Sequence, residues 1–257
     1  MNQEALSVKQ KAKTPATTRY EEDAGLGLEN ISVEDVKLPF LKILEKTSEE
    51  VNSRNAKYVK GAEAGMILNT LTNQSYDGKK GINVVPAFYN RNFVEWADRG
   101  TGSGAPIGEY DVTDPVVKTT TRDKSNKDRL PNGNYLANTA YHYILNITDD
   151  VPSTAVITMT FSRLVNSRRW NGLMMGLKSK TKDGRIITPP SFSHIYNLKT
   201  VQQTNNRGDW FVWDVTSVGT SSDVHYEMAK KFALNIRQGV IKAKHVADPN
   251  VDKDTPF

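Results

Sequence analysis

No cysteine occurs among the 257 residues, so disulfides, thiol catalysis, thiolate zinc sites and iron–sulfur clusters are excluded. No apolar run is long enough to cross a bilayer as a helix, and no apolar stretch follows the first methionine. A membrane-spanning helix and a secretory signal are therefore not expected, and the N-x-S/T triplets at Asn30, Asn73 and Asn146 read as chance matches. The chain has no G-x-x-x-x-G-K-[ST] loop to cradle phosphates and no G-x-S-x-G elbow to present a nucleophile. Its GTGSG at 100–104 lacks dinucleotide-binding spacing and reads as a loop. The histidines, His142, His194, His225 and His245, form no H-x-H or H-x-x-x-H pair. His142 and His194 fall in strand candidates and read as barrel-wall residues, and Asp149-Asp150 reads as a hairpin loop. No catalytic residue, metal or cofactor is assigned, and the chain is not expected to be an enzyme.

Charge of one sign is not extreme either. Lys+Arg is 34 and Asp+Glu 29, a net charge of +5, which by itself says little about partners. What the chain does have is organisation. Residues 1–30 hold almost no large apolar side chains and read as a flexible arm; residues 31–246 form the folded body; residues 247–257 form an acidic tail. At the start of the body Ser32 fits an N-cap with Asp35 at the third helical position. Val33, Val36, Phe40 and Leu44 recur at helical spacing, with Pro39 as an interruption. Strand signals follow at Met66–Thr70, Ile82–Trp96, Asn138–Ile147, Ala155–Phe161, Phe192–Gln203 and Asp209–Thr216, with Pro86 marking an edge or a bulge. Residues 162–177 predict a helix in which Val165, Arg169, Trp170, Leu173 and Met174 pack. Asp223–Gly239 predicts another, with Val224, Met228, Phe232 and Ile236 inward and Gly239 ending it. The fold expected is mainly β with added helices: an OB-like antiparallel β-barrel with a C-terminal helix and disordered N- and C-terminal tails.

The informative pattern is basic residues beside strand aromatics. Side chains alternate along a strand, so Tyr89, Arg91 and Phe93 share one face, as do Tyr141 and Tyr143. Arg168, Arg169 and Trp170 are consecutive. Lys124 and Arg129 stand in the polar loop 118–129, and Lys178, Lys180 and Lys182 in the basic loop 178–185. Rings stack on unpaired bases of any identity, and Lys and Arg neutralise phosphates, so these residues are the candidate nucleic-acid contacts. Against this stands a plainer reading: in any barrel half of the strand aromatics belong to the core.

The chain ends Asp248-Pro-Asn-Val-Asp-Lys-Asp-Thr-Pro-Phe257, three acidic side chains to one basic. A terminal aromatic beside acidic residues can plug an apolar pocket rimmed by Lys or Arg, or occupy the protein's own DNA groove. The ending Asp254-Thr255-Pro256-Phe257 resembles the tips of single-stranded DNA-binding proteins, bacterial and of the phage replication type, although Lys253 interrupts the acidic run. The segment 61–96 also looks like a stretch found in uncharacterised phage proteins of this size. The resemblance implies an OB-fold body that coats single-stranded DNA in replication or recombination. It also implies a tail through which Asp252, Asp254, Pro256 and Phe257 recruit a polymerase, primase, helicase or nuclease. The expected residence is the host cytoplasm, with no membrane partner and with room for self-association. The rival expectations are a virion or assembly protein without nucleic acid, and a protein that anneals complementary strands. A third, an unrecognised enzyme, would show clustered carboxylates in a cleft.

Overall fold

The structure, a computed structural model, describes residues 17–32, 35–98, 100–101, 104–206, 208–241 and 243. The chain divides into two compact units, Met1–Val36 and Lys37–Phe257. In the first lies a short helix, α1 (Thr17–Glu22). There Ser32 and Asp35 meet: Asp35 Oδ2 accepts from the Ser32 amide (2.9 Å) and from the Ser32 hydroxyl (2.7 Å), so the hydroxyl donates to the carboxylate. Among the described residues the helical spacing of Val36, Phe40 and Leu44 does not become helix beyond the interruption expected at Pro39. Residues 36–39 are irregular and Leu41–Ile43 is a strand, because Pro39 disfavours helix in the residue before it and the following apolar side chains enter a β core.

The larger unit is mainly β. Its strands are β1 (Leu41–Ile43), β2 (Ile67–Asn69), β3 (Ser75–Tyr76), β4 (Ile82–Trp96), β5 (Gly108–Asp111), β6 (Thr121–Arg122), β7 (Asp128–Arg129), β8 (Tyr135–Asn146) and β9 (Ser153–Thr160). They are followed by helix α2 (Leu164–Gly176), a small hairpin of β10 (Ser179–Lys180) and β11 (Ile186–Ile187), the long hairpin of β12 (His194–Asn205) and β13 (Gly208–Thr220), and helix α3 (Asp223–Arg237). Eight strands form one antiparallel sheet, ordered β13-β12-β4-β8-β7-β6, with β5 on β4 and β9 on β8. The sheet curls into half a barrel and carries the expected C-terminal helix.

The two central strands change partners midway. β4 pairs with β12 through residues 82–84 and with β5 through residues 92–95. β8 pairs with β7 through residues 135–136 and with β9 through residues 139–146. Pro86, expected at an edge or a bulge, lies at a bulge in a central strand. Pro86 faces Ile144 and Phe88 faces Tyr143, leaving Ala87 as the extra residue where a missing amide does least harm.

Layers pack on both faces of the sheet. On one, α2 and the β1–β2–β3 sheet enclose Ile82, Val84, Ala140, Ile144, Trp170 and Trp213. On the other, α3 encloses Val85, Val94, Trp96, Tyr141, Tyr143 and Phe232. β8 is thus buried along nearly its whole length, as a strand with layers on both sides must be. The connection between β3 and β4 lies close on β12: the Thr200 amide donates to Gly78 O at 2.8 Å. A Cβ at Gly78 would stand 1.9 Å from Gly65 O, so only glycine allows this approach. The β8–β9 loop is tied down through Asp149, which accepts from Tyr76 Oη at 2.8 Å and from Gln74.

Both large helices are where the sequence predicts them, with different inward faces. In α3 the buried stripe is Ala229 and Phe232, flanked by Ala233 and Ile236, while Val224 and Met228 are exposed. Steps of four residues drift about 40° each around a helix of 3.6 residues per turn, so four such positions do not share one face. In α2, Ser167 and Trp170 are buried and Leu164 and Met174 pack, but Val165 and Arg169 point outward. Ser222 caps α3 by accepting from the His225 amide at 3.2 Å, and Gly239 follows the helix at φ 73°.

Candidate nucleic-acid interface

Past the bulge, β4 presents Tyr89, Arg91 and Phe93 opposite His142, Ala140 and Asn138 of β8. Paired residues share a face, and Ala140 belongs to the α2-side core, so all three project on the α2 side. The helix leaves this stretch of sheet open: Tyr89 is 38% exposed, Arg91 is exposed and Phe93 is half-buried. β5 extends the same surface, placing Tyr110 opposite Phe93. Tyr89, Arg91, Phe93 and Tyr110 therefore stand on one face, and among the described residues no carboxylate pairs with Arg91.

Each end of this row is braced from beneath. Tyr110 Oη donates to Glu95 Oε2 at 2.6 Å, and Glu95 also accepts from Asn134 Nδ2 (2.6 Å) and Asn132 Nδ2 (3.0 Å). Burial alone would raise the Glu95 carboxyl, but these hydrogen bonds together hold it below the ordinary carboxylate range. At the other end the Tyr89 ring lies 5.1 Å from the His142 ring. His142 stacks on Trp170 at 4.4 Å and 16°, Trp170 meets Tyr196 at 6.0 Å, and His142 Nε2 bonds Ser167 Oγ at 2.9 Å. The rings form a ladder from the surface into the core.

Burial lowers the His142 pKa from 6.5 to about 3. The unfolded chain takes up a proton near pH 6.5 and the folded one does not. This contribution to stability is therefore complete above that pH and is lost as the pH falls toward 3. Relative to His142→Gln, the wild-type protein is expected to lose about 2 kcal/mol more between pH 7 and pH 5, measured by urea unfolding. Equal losses in both proteins would contradict it.

The other predicted contacts separate. Tyr141, Tyr143 and Trp170 are buried, so they offer no ring to a base. Tyr141 and Tyr143 do share a face, with ring centroids 6.5 Å apart, but α3 covers it and Phe232 lies 6.2 Å from Tyr143. Trp170 points into the sheet while Arg168 and Arg169 point out, so consecutive residues of a helix do not make one group. Arg169 pairs with Asp214 at 2.6 Å, and Arg168 is exposed with no carboxylate partner among the described residues.

Arg129 is engaged internally, donating to Asp98 (2.6 Å), Asp123 (2.7 Å) and Gly133 O (2.9 Å). Hydrogen bonding from Arg129 holds both carboxyls down. The loop carrying it is thus largely neutralised, with Lys127 Nζ also 4.0 Å over the Tyr135 ring. Lys124 is exposed at its turn. Lys178 Nζ donates to Met175 O (3.2 Å) and Thr188 Oγ1 (2.9 Å), closing the end of α2. Lys180 and Lys182 are exposed on the β10–β11 hairpin, and the tail residues Asp252, Asp254, Pro256 and Phe257 lie outside the described residues. Among the described residues no three His, Asp or Glu side chains gather as metal ligands, and no helix is long and apolar enough to cross a membrane.

Tyr110 was not legible as part of this face. β5 is four residues long behind a glycine-rich loop, too short for alternation to register, and only its pairing with β4 reveals it.

A family model described as Pam3 phage gp34-like protein matches residues 8–242. The chain belongs to this family. The match takes in every described site residue named above and stops short of the acidic ending. A Pam3 phage gp34-like assignment agrees with the phage resemblance of the sequence; the description names no activity. No curated protein and no solved structure matches the chain.

Proposed function

We propose that this phage-family protein coats single-stranded DNA with little sequence preference, as a non-enzymatic component of phage replication or recombination in the host cytoplasm. The observation that carries the reading is the open α2-side face on which Tyr89, Arg91, Phe93 and Tyr110 stand together. Partly exposed rings supply sequence-independent stacking, and an arginine without a carboxylate partner is available to a phosphate. Arg168, Lys124, Lys178, Lys180 and Lys182 are the remaining predicted cations exposed and without carboxylate partners among the described residues, Lys178 being held by a carbonyl and a hydroxyl. Asp252, Asp254, Pro256 and Phe257 complete the proposal as a docking segment for replication enzymes.

The test is fluorescence anisotropy with labelled oligo-dT and a matched duplex, across a salt series. Tight binding to the single strand, weakening with salt, is expected. Arg91→Ala is expected to shallow the log K against log salt slope by about 0.7, one phosphate contact. Tyr89→Ala is expected to weaken binding by about 1–3 kcal/mol, the worth of one stacked base, with the slope unchanged. No binding by wild-type protein at low salt would remove the proposal. The assembly reading would then take its place, favoured by Ile186 and Ile187, exposed on the β10–β11 hairpin.

A further inference from the structure

We propose that His142 is a positioning residue: its ring backs the exposed Tyr89 ring and holds it as a preformed stacking platform, fastened through Trp170 and Ser167 to helix α2. The inference rests on the single-stranded DNA reading of this face and gives it an internal mechanism. Three observations carry it. The His142 ring lies between two others, 5.1 Å from Tyr89 and 4.4 Å from Trp170, so it links a surface ring to a core ring. Its Nε2 is held by Ser167 Oγ at 2.9 Å, which fixes the imidazole plane. Of the rings in this ladder Tyr89 alone reaches solvent; His142, Trp170 and Tyr196 are buried. An exposed tyrosine ordinarily samples several rotamers, and ordering it on binding opposes association. A ring already held against a buried partner avoids much of that loss, which is what preorganisation means for a binding surface.

His142→Leu removes the ring; His142→Phe keeps a ring while giving up the Ser167 bond. The full chain carrying each substitution is titrated with two probes of equal length, oligo-dT and an abasic deoxyribose-phosphate strand, which has phosphates but no bases. His142→Leu is expected to weaken oligo-dT binding about fivefold to tenfold and to leave abasic-strand binding within about twofold, as Tyr89→Ala does. His142→Phe, which keeps a ring but loses the Ser167 anchor, is expected to weaken oligo-dT binding less than His142→Leu does and to leave abasic-strand binding within about twofold, and His142→Leu to add little in a Tyr89→Ala background.

Equal weakening on both strands, a full additional loss in the Tyr89→Ala background, or a phenylalanine variant as weak as the leucine one would overturn the proposal. If the leucine variant does not fold, the wild-type chain still decides. Nuclear Overhauser contacts between the Tyr89 and His142 rings are expected in the free protein and must survive oligo-dT binding; their loss overturns the brace. Wild-type protein that binds neither strand overturns the DNA reading itself, and the brace with it. Wild-type binding with insensitive His142 variants overturns the brace alone.

Discussion

Glu45→Ala is expected to destabilise the larger unit by about 3–5 kcal/mol, because it removes one partner of a buried ion pair and leaves the other uncompensated. Glu45 follows β1 and is buried. It pairs with the Arg163 guanidinium and accepts from the Phe211 amide at 3.0 and 3.2 Å, while Arg163 Nε donates to Phe211 O at 3.1 Å. β13 ends the strand order of the large sheet, so at Phe211 these two side chains stand in for a neighbouring strand. Glu45→Ala would leave the guanidinium without its carboxylate and the Phe211 amide without its acceptor. Chemical unfolding at neutral pH measures the effect, and a loss below about 1 kcal/mol would show that the pair is not the edge clamp described here. The double replacement Glu45→Leu with Arg163→Met is expected to recover part of the loss, since neither charge then remains buried.

Trp170→Ala is expected to cost about 3–5 kcal/mol as well, by a different route: it empties a large, fully enclosed volume between α2 and the sheet. Tyr89→Ala, one ring further along the ladder and partly in solvent, is expected to cost less than about 1 kcal/mol. Thermal and urea unfolding of the two variants side by side separate a core ring from a surface ring. Both residues look alike in the sequence as aromatics beside arginine. Comparable stabilities for the two would contradict the placement of Trp170.

That pair also shows what the sequence reveals and what it conceals. β4 was legible to the residue, because fifteen β-branched, aromatic and alternating positions have no helical alternative. α3 was legible in extent, with its serine cap and closing glycine. The short strands β5, β6, β7, β10 and β11 were not, since two to four residues carry no period and exist only through their partners. Val36, Phe40 and Leu44 fit a helical spacing across the interruption at Pro39. In the fold Phe40 instead bridges Val156 of β9. For the candidate site, alternation assigned Tyr89, Arg91 and Phe93 correctly to one face, and Tyr141 and Tyr143 correctly to another. Alternation does not say which face another layer will cover. That depends on where α2 and α3 dock, and docking is a property of the whole chain.

The single extra residue at Ala87 has a consequence for how this protein can vary. Before it, the even-numbered residues of β4 face α2; after it, the odd-numbered ones do. The bulge acts as a parity switch within one continuous strand. Losing one residue there would turn Val94 and Trp96 toward the α2 side and drive Tyr89, Arg91 and Glu95 beneath α3. Insertions or deletions in this strand are therefore tolerable only in even steps. The count of residues between Pro86 and Tyr89, more than their chemistry, decides whether the row of rings meets solvent or the core.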